Sequence, residues 1–145
     1  MQKEKAIEFT SNPKSSNIVH KTLNVVFVDD NEEILELLNL LVIRNYKQVN
    51  LFRFRSAEEA LFFIILNKKE IFIDVIFSDY HMSNINGIEF FEKLQEHEIY
   101  YPFILLTALT NPLIRENCYK AGIKHFYKKE FSIILDLFNK LDNLI

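Results

Sequence analysis

With one cysteine, two glycines, three prolines and no tryptophan, this chain has few of the residues that most often punctuate a fold. Each scarcity excludes something. Cys118 stands alone, so no internal disulfide can form. The N-terminus shows no basic-then-apolar secretion pattern, and no apolar run reaches the length a membrane-spanning helix needs. An excess of basic charge is missing as well: 17 Lys and Arg stand against 20 Asp and Glu, for a net charge of −3, and the basic residues are scattered. Nucleic acid and anionic membrane both call for a basic surface, so neither is an expected partner. A soluble, reduced, cytoplasmic protein is the expectation.

What is present is apolar. Hydrophobic residues make up 49% of the 145 positions, enough for one domain, and a domain of this size buries roughly 68–70% of its unfolded surface. Residues 1–22 mix Lys, Glu, Ser and Asn with Pro13 and show no sustained period; they read as an N-terminal tail, mobile unless Ile7 and Phe9 dock it. The domain proper runs over 23–145.

From Leu23 to Val28 a β-branched and aromatic run reads as a strand buried on both faces, ending on Asp29-Asp30. Glu32 and Glu33 suit a first helical turn, and Ile34, Leu35, Leu37, Leu38, Leu41 and Val42 follow at helical spacing. Val49 to Phe54 is a second strand, and Ser56-Ala57-Glu58-Glu59 opens a second helix that runs to Leu66. A third strand, Ile71 to Ser78, delivers Asp79. Asn86-Gly87 starts a third helix, and Pro102 is the first residue of a fourth strand, where no ladder donor is lost, that ends on Thr107. Asn111 with Pro112 caps a fourth helix, and Gly122 fits its left-handed C-terminal end. Lys124 to Lys128 is a fifth strand, and Phe131, Ile134, Leu135, Phe138, Leu141 and Ile145 set the stripe of a last helix.

Strands alternating with helices predict an α/β fold with a parallel sheet covered on both faces. Right-handed crossovers favour the doubly wound order 2-1-3-4-5, whose topological switch lies between strands one and three. Those are the strands that end in Asp29-Asp30 and in Asp79. The acids therefore converge in one crevice, with Thr107 and Lys129 on the same edge. Clustered carboxylates repel one another, and a hard divalent cation with oxygen ligands relieves this; Mg²⁺ fits best, because it binds through one or two carboxylates and shares its other positions with phosphate oxygens. A carboxylate attacking phosphorus gives an aspartyl phosphate, and such transfer needs mainly positioning and charge neutralisation. Asp79 is the expected nucleophile.

Together these residues resemble the receiver (response-regulator) domains of two-component phosphorelay signalling, over roughly Leu23 to Ile145. The resemblance implies a flavodoxin-like (βα)5 fold. It implies that Asp79 is the phosphoacceptor, that Asp30 is a direct Mg²⁺ ligand with Asp29 acting through water, and that the backbone carbonyl of His81 is a further ligand. Thr107 and Ala108 match the switch hydroxyl and its small neighbour, Phe126 the aromatic switch, and Lys129 the conserved-type lysine that binds the phosphoryl group. Met82, Gly87 and Ala121-Gly122 fall at the family's spacing. Ser83 and Glu130 stand where that family usually has proline. Proline after the lysine typically follows a cis peptide, which before Glu130 would cost about 2.5–4 kcal/mol. Either the loop retains that strain or Lys129 is aimed differently, with Lys128 as the fallback.

The resemblance implies a signalling protein rather than an enzyme, taking a phosphoryl group from a histidine kinase or histidine phosphotransfer protein and acting through a downstream protein partner. No output module follows Ile145, so a stand-alone receiver is expected, and a homodimer is compatible with it. Two other readings stay open. Ser83 and Glu130 motivate a degenerate receiver serving as a phosphorylation-independent scaffold. A phosphohydrolase with an aspartyl intermediate wants a second Asp two residues after the nucleophile, where this chain has His81.

Overall fold

A computed structural model describes residues 21–109 and 111–144. The expectations for residues 1–20, including docking by Ile7 and Phe9, and for Ile145 lie outside the described residues. Strands β1 (Leu23–Val28), β2 (Val49–Phe54), β3 (Val75–Asp79), β4 (Phe103–Thr107) and β5 (His125–Lys128) form one parallel sheet in the order β2-β1-β3-β4-β5. This is the doubly wound order expected from the sequence. Helices α1 (Glu32–Asn45), α2 (Ala57–Asn67), α3 (Gly87–Glu96), α4 (Pro112–Ala121) and α5 (Phe131–Asn139) connect and cover it, with a last turn α6 (Leu141–Leu144). No helix among the described residues is long and apolar enough to cross a membrane.

Alternation along the buried strands divides the core in two. Val26, Val28, Ile76 and Leu105 point to the face carrying Ala60, Ile64, Phe90, Leu94 and Cys118; Val25, Phe27, Phe77 and Leu106 point to the face carrying Leu38, Val42, Ile134 and Phe138. On the second face Phe27, Phe77 and Phe138 stack in series, with centroids 5.6 and 5.2 Å apart. Offset aromatic packing of this kind adds roughly 0.5–1.5 kcal/mol per pair beyond the area buried. It locks β1, β3 and α5 together directly beneath the strand ends that carry the acids.

Two boundaries differ from the sequence expectation by more than one residue. The third strand begins at Val75, not Ile71, because β1 pairs with it only from Val25↔Val75 onward. The residue just before it, Asp74, instead takes the backbone N–H of Asn24 and the ammonium of Lys21 on its buried carboxylate. The last helix is interrupted at Lys140, which leaves helical geometry and donates its N–H to Leu137 at 3.1 Å. That break turns Leu141 into the core, where it is 2% exposed. The four side-chain caps, Asn31, Ser56, Asn86 and Asn111, each accept a backbone N–H at the head of their helix.

Gly87 and Gly122 serve different ends. Gly122 closes α4 at φ 94°, a left-handed conformation that side-chain-bearing residues rarely adopt. Gly87 is required by closeness: a Cβ there would lie 2.6 Å from the carbonyl oxygen of Asp79. Its N–H donates to Tyr80 at 2.9 Å, so the start of α3 is clamped against the end of β3. Gly87→Ala should therefore lower stability by about 1–3 kcal/mol, read as a lower urea midpoint at unchanged slope; an unshifted midpoint would contradict this packing.

Candidate functional site

The register of the sheet brings the acids level. Val28 pairs with Ser78, so Asp29 and Asp79 leave the ends of β1 and β3 side by side. Asp29 is 0% and Asp79 5% exposed, whereas Asp30 is exposed at the rim. Carboxylate oxygens of Asp29, Asp30 and Asp79 lie within 4.8 Å of one another. Lys129 follows β5 and is aligned by its own N–H, which donates to the Thr107 carbonyl at 2.8 Å. Its ammonium lies 2.6 Å from Oδ2 of Asp29 and donates to Oδ2 of Asp79 at 3.1 Å.

Three carboxylates thus face one ammonium. Burial pushes the Asp79 carboxyl up to about 6, the charge of Asp29 adds to the rise, and Lys129 opposes it. Burial acts to lower the Lys129 ammonium, but hydrogen bonding and charge from Asp29 and Asp79 outweigh it, and its pKa is raised. Oδ1 of Asp29 accepts the Asn31 N–H at 2.9 Å. Oδ2 of Asp29 is buried, and its one polar neighbour is the Lys129 ammonium at 2.6 Å. Convergent hard oxygens from three carboxylates that share one ammonium suit a hard divalent cation.

Glu130 is turned away from this crevice. Its carboxylate lies 2.6 Å from the ammonium of Lys128, and the peptide between Lys129 and Glu130 is trans. Of the alternatives left by the sequence, Lys129 is the lysine that reaches the acids, while Lys128 stays outside on the half-exposed side of the strand end.

The remaining predicted residues sit around this group. Thr107 is fully buried, and its hydroxyl is held by the backbone of Leu109, donating to the carbonyl and accepting the N–H, both at 3.2 Å. Ala108 is exposed beside it. The ring of His81 is exposed and packs edge-on to Tyr80, outside the carboxylate cluster. Phe126 pairs with Leu105 in the ladder and lines a cavity of about 220 Å³ with Asn111, Pro112 and Arg115. Sequence reasoning did not single out the roles of Asn31 and Leu109. Asn31 was legible as a residue of cap type directly after the acidic pair, but Leu109 acts through its backbone and leaves no signature in residue type.

Residues 25–140 match the response regulator receiver domain. Over 90 residues, 61% of this chain, the sequence is 32% identical to the transcriptional regulatory proteins GlrR of Escherichia coli K12 and QseF of Escherichia coli O157:H7. The match spans 19% of the length of each of these relatives. Among solved structures the chain is similar to the receiver domain of the Francisella response regulator 1452, at 26% identity and TM-score 0.69, covering 84% of this chain and 95% of that one. It is also similar to the Vibrio cholerae chemotaxis protein CheY4, at 21% identity and TM-score 0.71, covering 86% and 99%. The Borrelia burgdorferi CheX–CheY complex with BeF3 and Mg²⁺ matches at 22% identity and TM-score 0.66, covering 85% and 90%. The last two likenesses concern the fold.

The raised Asp79 carboxyl carries a pH signature. Its folded value, about 6, lies above the ordinary 3.8, so between these limits the native state holds the proton more tightly than the unfolded chain, and stability falls as pH rises through that window. In chelator-treated protein, Asp79→Asn should be more stable than the wild type by about 1–3 kcal/mol at pH 7. The difference should close as pH falls from 6 towards 4. Urea denaturation across that range checks it; a pH-independent difference would contradict the electrostatic account.

Proposed function

Because this chain belongs to the response regulator receiver domain family, whose members are signalling modules, we propose that it accepts a phosphoryl group on Asp79 from a phosphohistidine donor and thereby changes its protein partners. The observation that carries this reading is the placement of Asp79 within hydrogen-bonding distance of Lys129, beside Asp29 and Asp30, at the topological switch of the sheet. A carboxylate oxygen of Asp79 forms the new bond to phosphorus while the phosphorus–nitrogen bond of the donor breaks. The electron pair leaves with the imidazole nitrogen, which takes a proton from solvent.

Asp30, Asp79 and the His81 carbonyl would hold Mg²⁺, with Asp29 acting through water. Mg²⁺ would supply positive charge opposite the phosphoryl oxygens. Lys129 supplies the chain's own positive charge there, already oriented by its backbone bond to β4. Thr107 can donate its hydroxyl to a phosphoryl oxygen by giving up its bond to the Leu109 carbonyl, and Ala108 beside it adds little bulk. Release of the hydroxyl frees the loop after β4. Phe126, on the neighbouring strand and half-buried against a cavity, is the side chain placed to repack in response. It carries no hydroxyl, so its response is one of packing alone. The histidine kinase or phosphotransfer donor, a downstream protein partner and a cytoplasmic setting accompany this reading. The turn of Glu130 towards Lys128 keeps its carboxylate out of the crevice, which supports the phosphoaccepting reading.

Intact-protein mass after incubation with a small phosphoryl donor tests it. The wild type should gain one phosphoryl group in the presence of Mg²⁺, and Asp79→Asn none. Lys129→Ala should slow the gain on the order of 10²-fold, as loss of one preorganised charge stabiliser does, whereas Lys128→Ala should match the wild type. A folded wild type that gains nothing would overturn the proposal in favour of a scaffold. Steady hydrolysis of a small phosphomonoester, lost in Asp79→Asn, would overturn it in favour of a phosphohydrolase.

A further inference from the structure

Helix α2 is apolar where a surface helix is ordinarily polar. Six consecutive residues, Leu61 to Leu66, are hydrophobic, although one stripe is all that burial against a sheet requires. That stripe is supplied by Ala57, Ala60 and Ile64, at 1%, 0% and 1% exposure. Phe62 and Leu66 instead face solvent at 70% and 67%, with Ile65 beside them at 42%. The charges at the two ends are exposed too. Glu58 and Glu59 occupy the first turn, Lys68 and Lys69 follow the last, and none of the four is in an ion pair among the described residues.

Acids at the start and bases at the end of a helix suit its macrodipole. The macrodipole does not account for bare Phe62 and Leu66 between them. The whole face is self-complementary. A two-fold axis through the middle of α2, between Phe63 and Ile64, lays the helix antiparallel on its own copy. Glu58 and Glu59 then stand opposite Lys69 and Lys68 of the copy, and Phe62 stands opposite Ile65. This is the isologous arrangement of a two-fold dimer, in which each contact occurs twice. Helix α1 also exposes Leu37, Leu40 and Ile43. There, however, Glu32 and Glu36 are already engaged within the chain by Arg55 and Arg53.

We propose that the outer face of α2 is a self-association surface, pairing antiparallel with α2 of a second copy of this chain. The occupant is identified by the charge order along the helix: acidic, apolar, basic, read in opposite directions by the two copies. A single pair of helices buries less than the roughly 1,200–2,000 Å² of a stable complex, so the dimer is weak and concentration-dependent. The proposal draws on none of the phosphoryl chemistry at the acidic crevice and stands or falls apart from it.

Sedimentation velocity of the whole chain, from micromolar to near-millimolar concentration, tests it. The wild type should pass from monomer to dimer. Glu58→Lys with Glu59→Lys makes both ends of the face basic, and Lys68→Glu with Lys69→Glu makes both acidic; each double variant should remain monomeric. An equimolar mixture of the two should dimerise again, because the opposed ends are then complementary. Phe62→Gln with Leu66→Gln should also abolish the dimer without lowering the urea midpoint, since both side chains are exposed, and it decides the matter if a charge variant fails to fold. A wild type that stays monomeric throughout would overturn the proposal and leave the face to a different protein. Charge variants that dimerise like the wild type, or a folded mixture that stays monomeric, would overturn it as well.

Discussion

Asp29 and Asp79, both buried, end neighbouring strands, and Lys129 is what allows them to be there together. Two like charges about 4 Å apart at an effective dielectric of 20 repel by roughly 4 kcal/mol, and desolvation adds to the cost. The ammonium lies within 3.1 Å of both carboxylates and offsets part of it. The offset is incomplete, as the Asp79 carboxyl raised to about 6 attests. A crevice left short of positive charge in this way is disposed to take more, from a divalent cation.

The rest of the fold can be understood as support for that crevice. Parallel pairing of β1 with β3 sets the two acids level, and the Phe27–Phe77–Phe138 stack fixes those strands beneath them. Gly87 lets α3 begin against the carbonyl of Asp79. On the other side, the Thr107 carbonyl holds the N–H of Lys129, so the residue that carries the hydroxyl also aims the ammonium. Glu130 does not disturb this arrangement, because its charge is spent on Lys128. Proline is therefore not required to direct Lys129 inward.

Much of this was legible from residue types. Strand ends marked by Asp29-Asp30, Asp79, Thr107 and Lys129 all fall on one edge once helices alternate with strands, and Ser56, Asn86 and Asn111 announce their helices as caps. The start of β3 was not legible: Ile71 and Phe72 look like strand, but the ladder to β1 begins at Val75 and Asp74 is held by polar contacts instead. The break at Lys140 was hidden because Leu141 keeps a helical spacing while turning in by another route. The choice between Lys128 and Lys129 depended on one residue of register, which the pairing of Thr107 with Lys128 decides. The hold of Leu109 on the Thr107 hydroxyl is a backbone contact that no side chain advertises.

The most direct test of the central claim is chemical location of the modified carboxylate. Borohydride reduces an acyl phosphate of aspartate to homoserine, and tandem mass spectrometry of the digested protein shows where. Homoserine at position 79 alone, dependent on the phosphoryl donor, is the predicted result. Homoserine at position 29 or 30, or a phosphoryl group found on His81, would contradict the assignment of Asp79 as the acceptor.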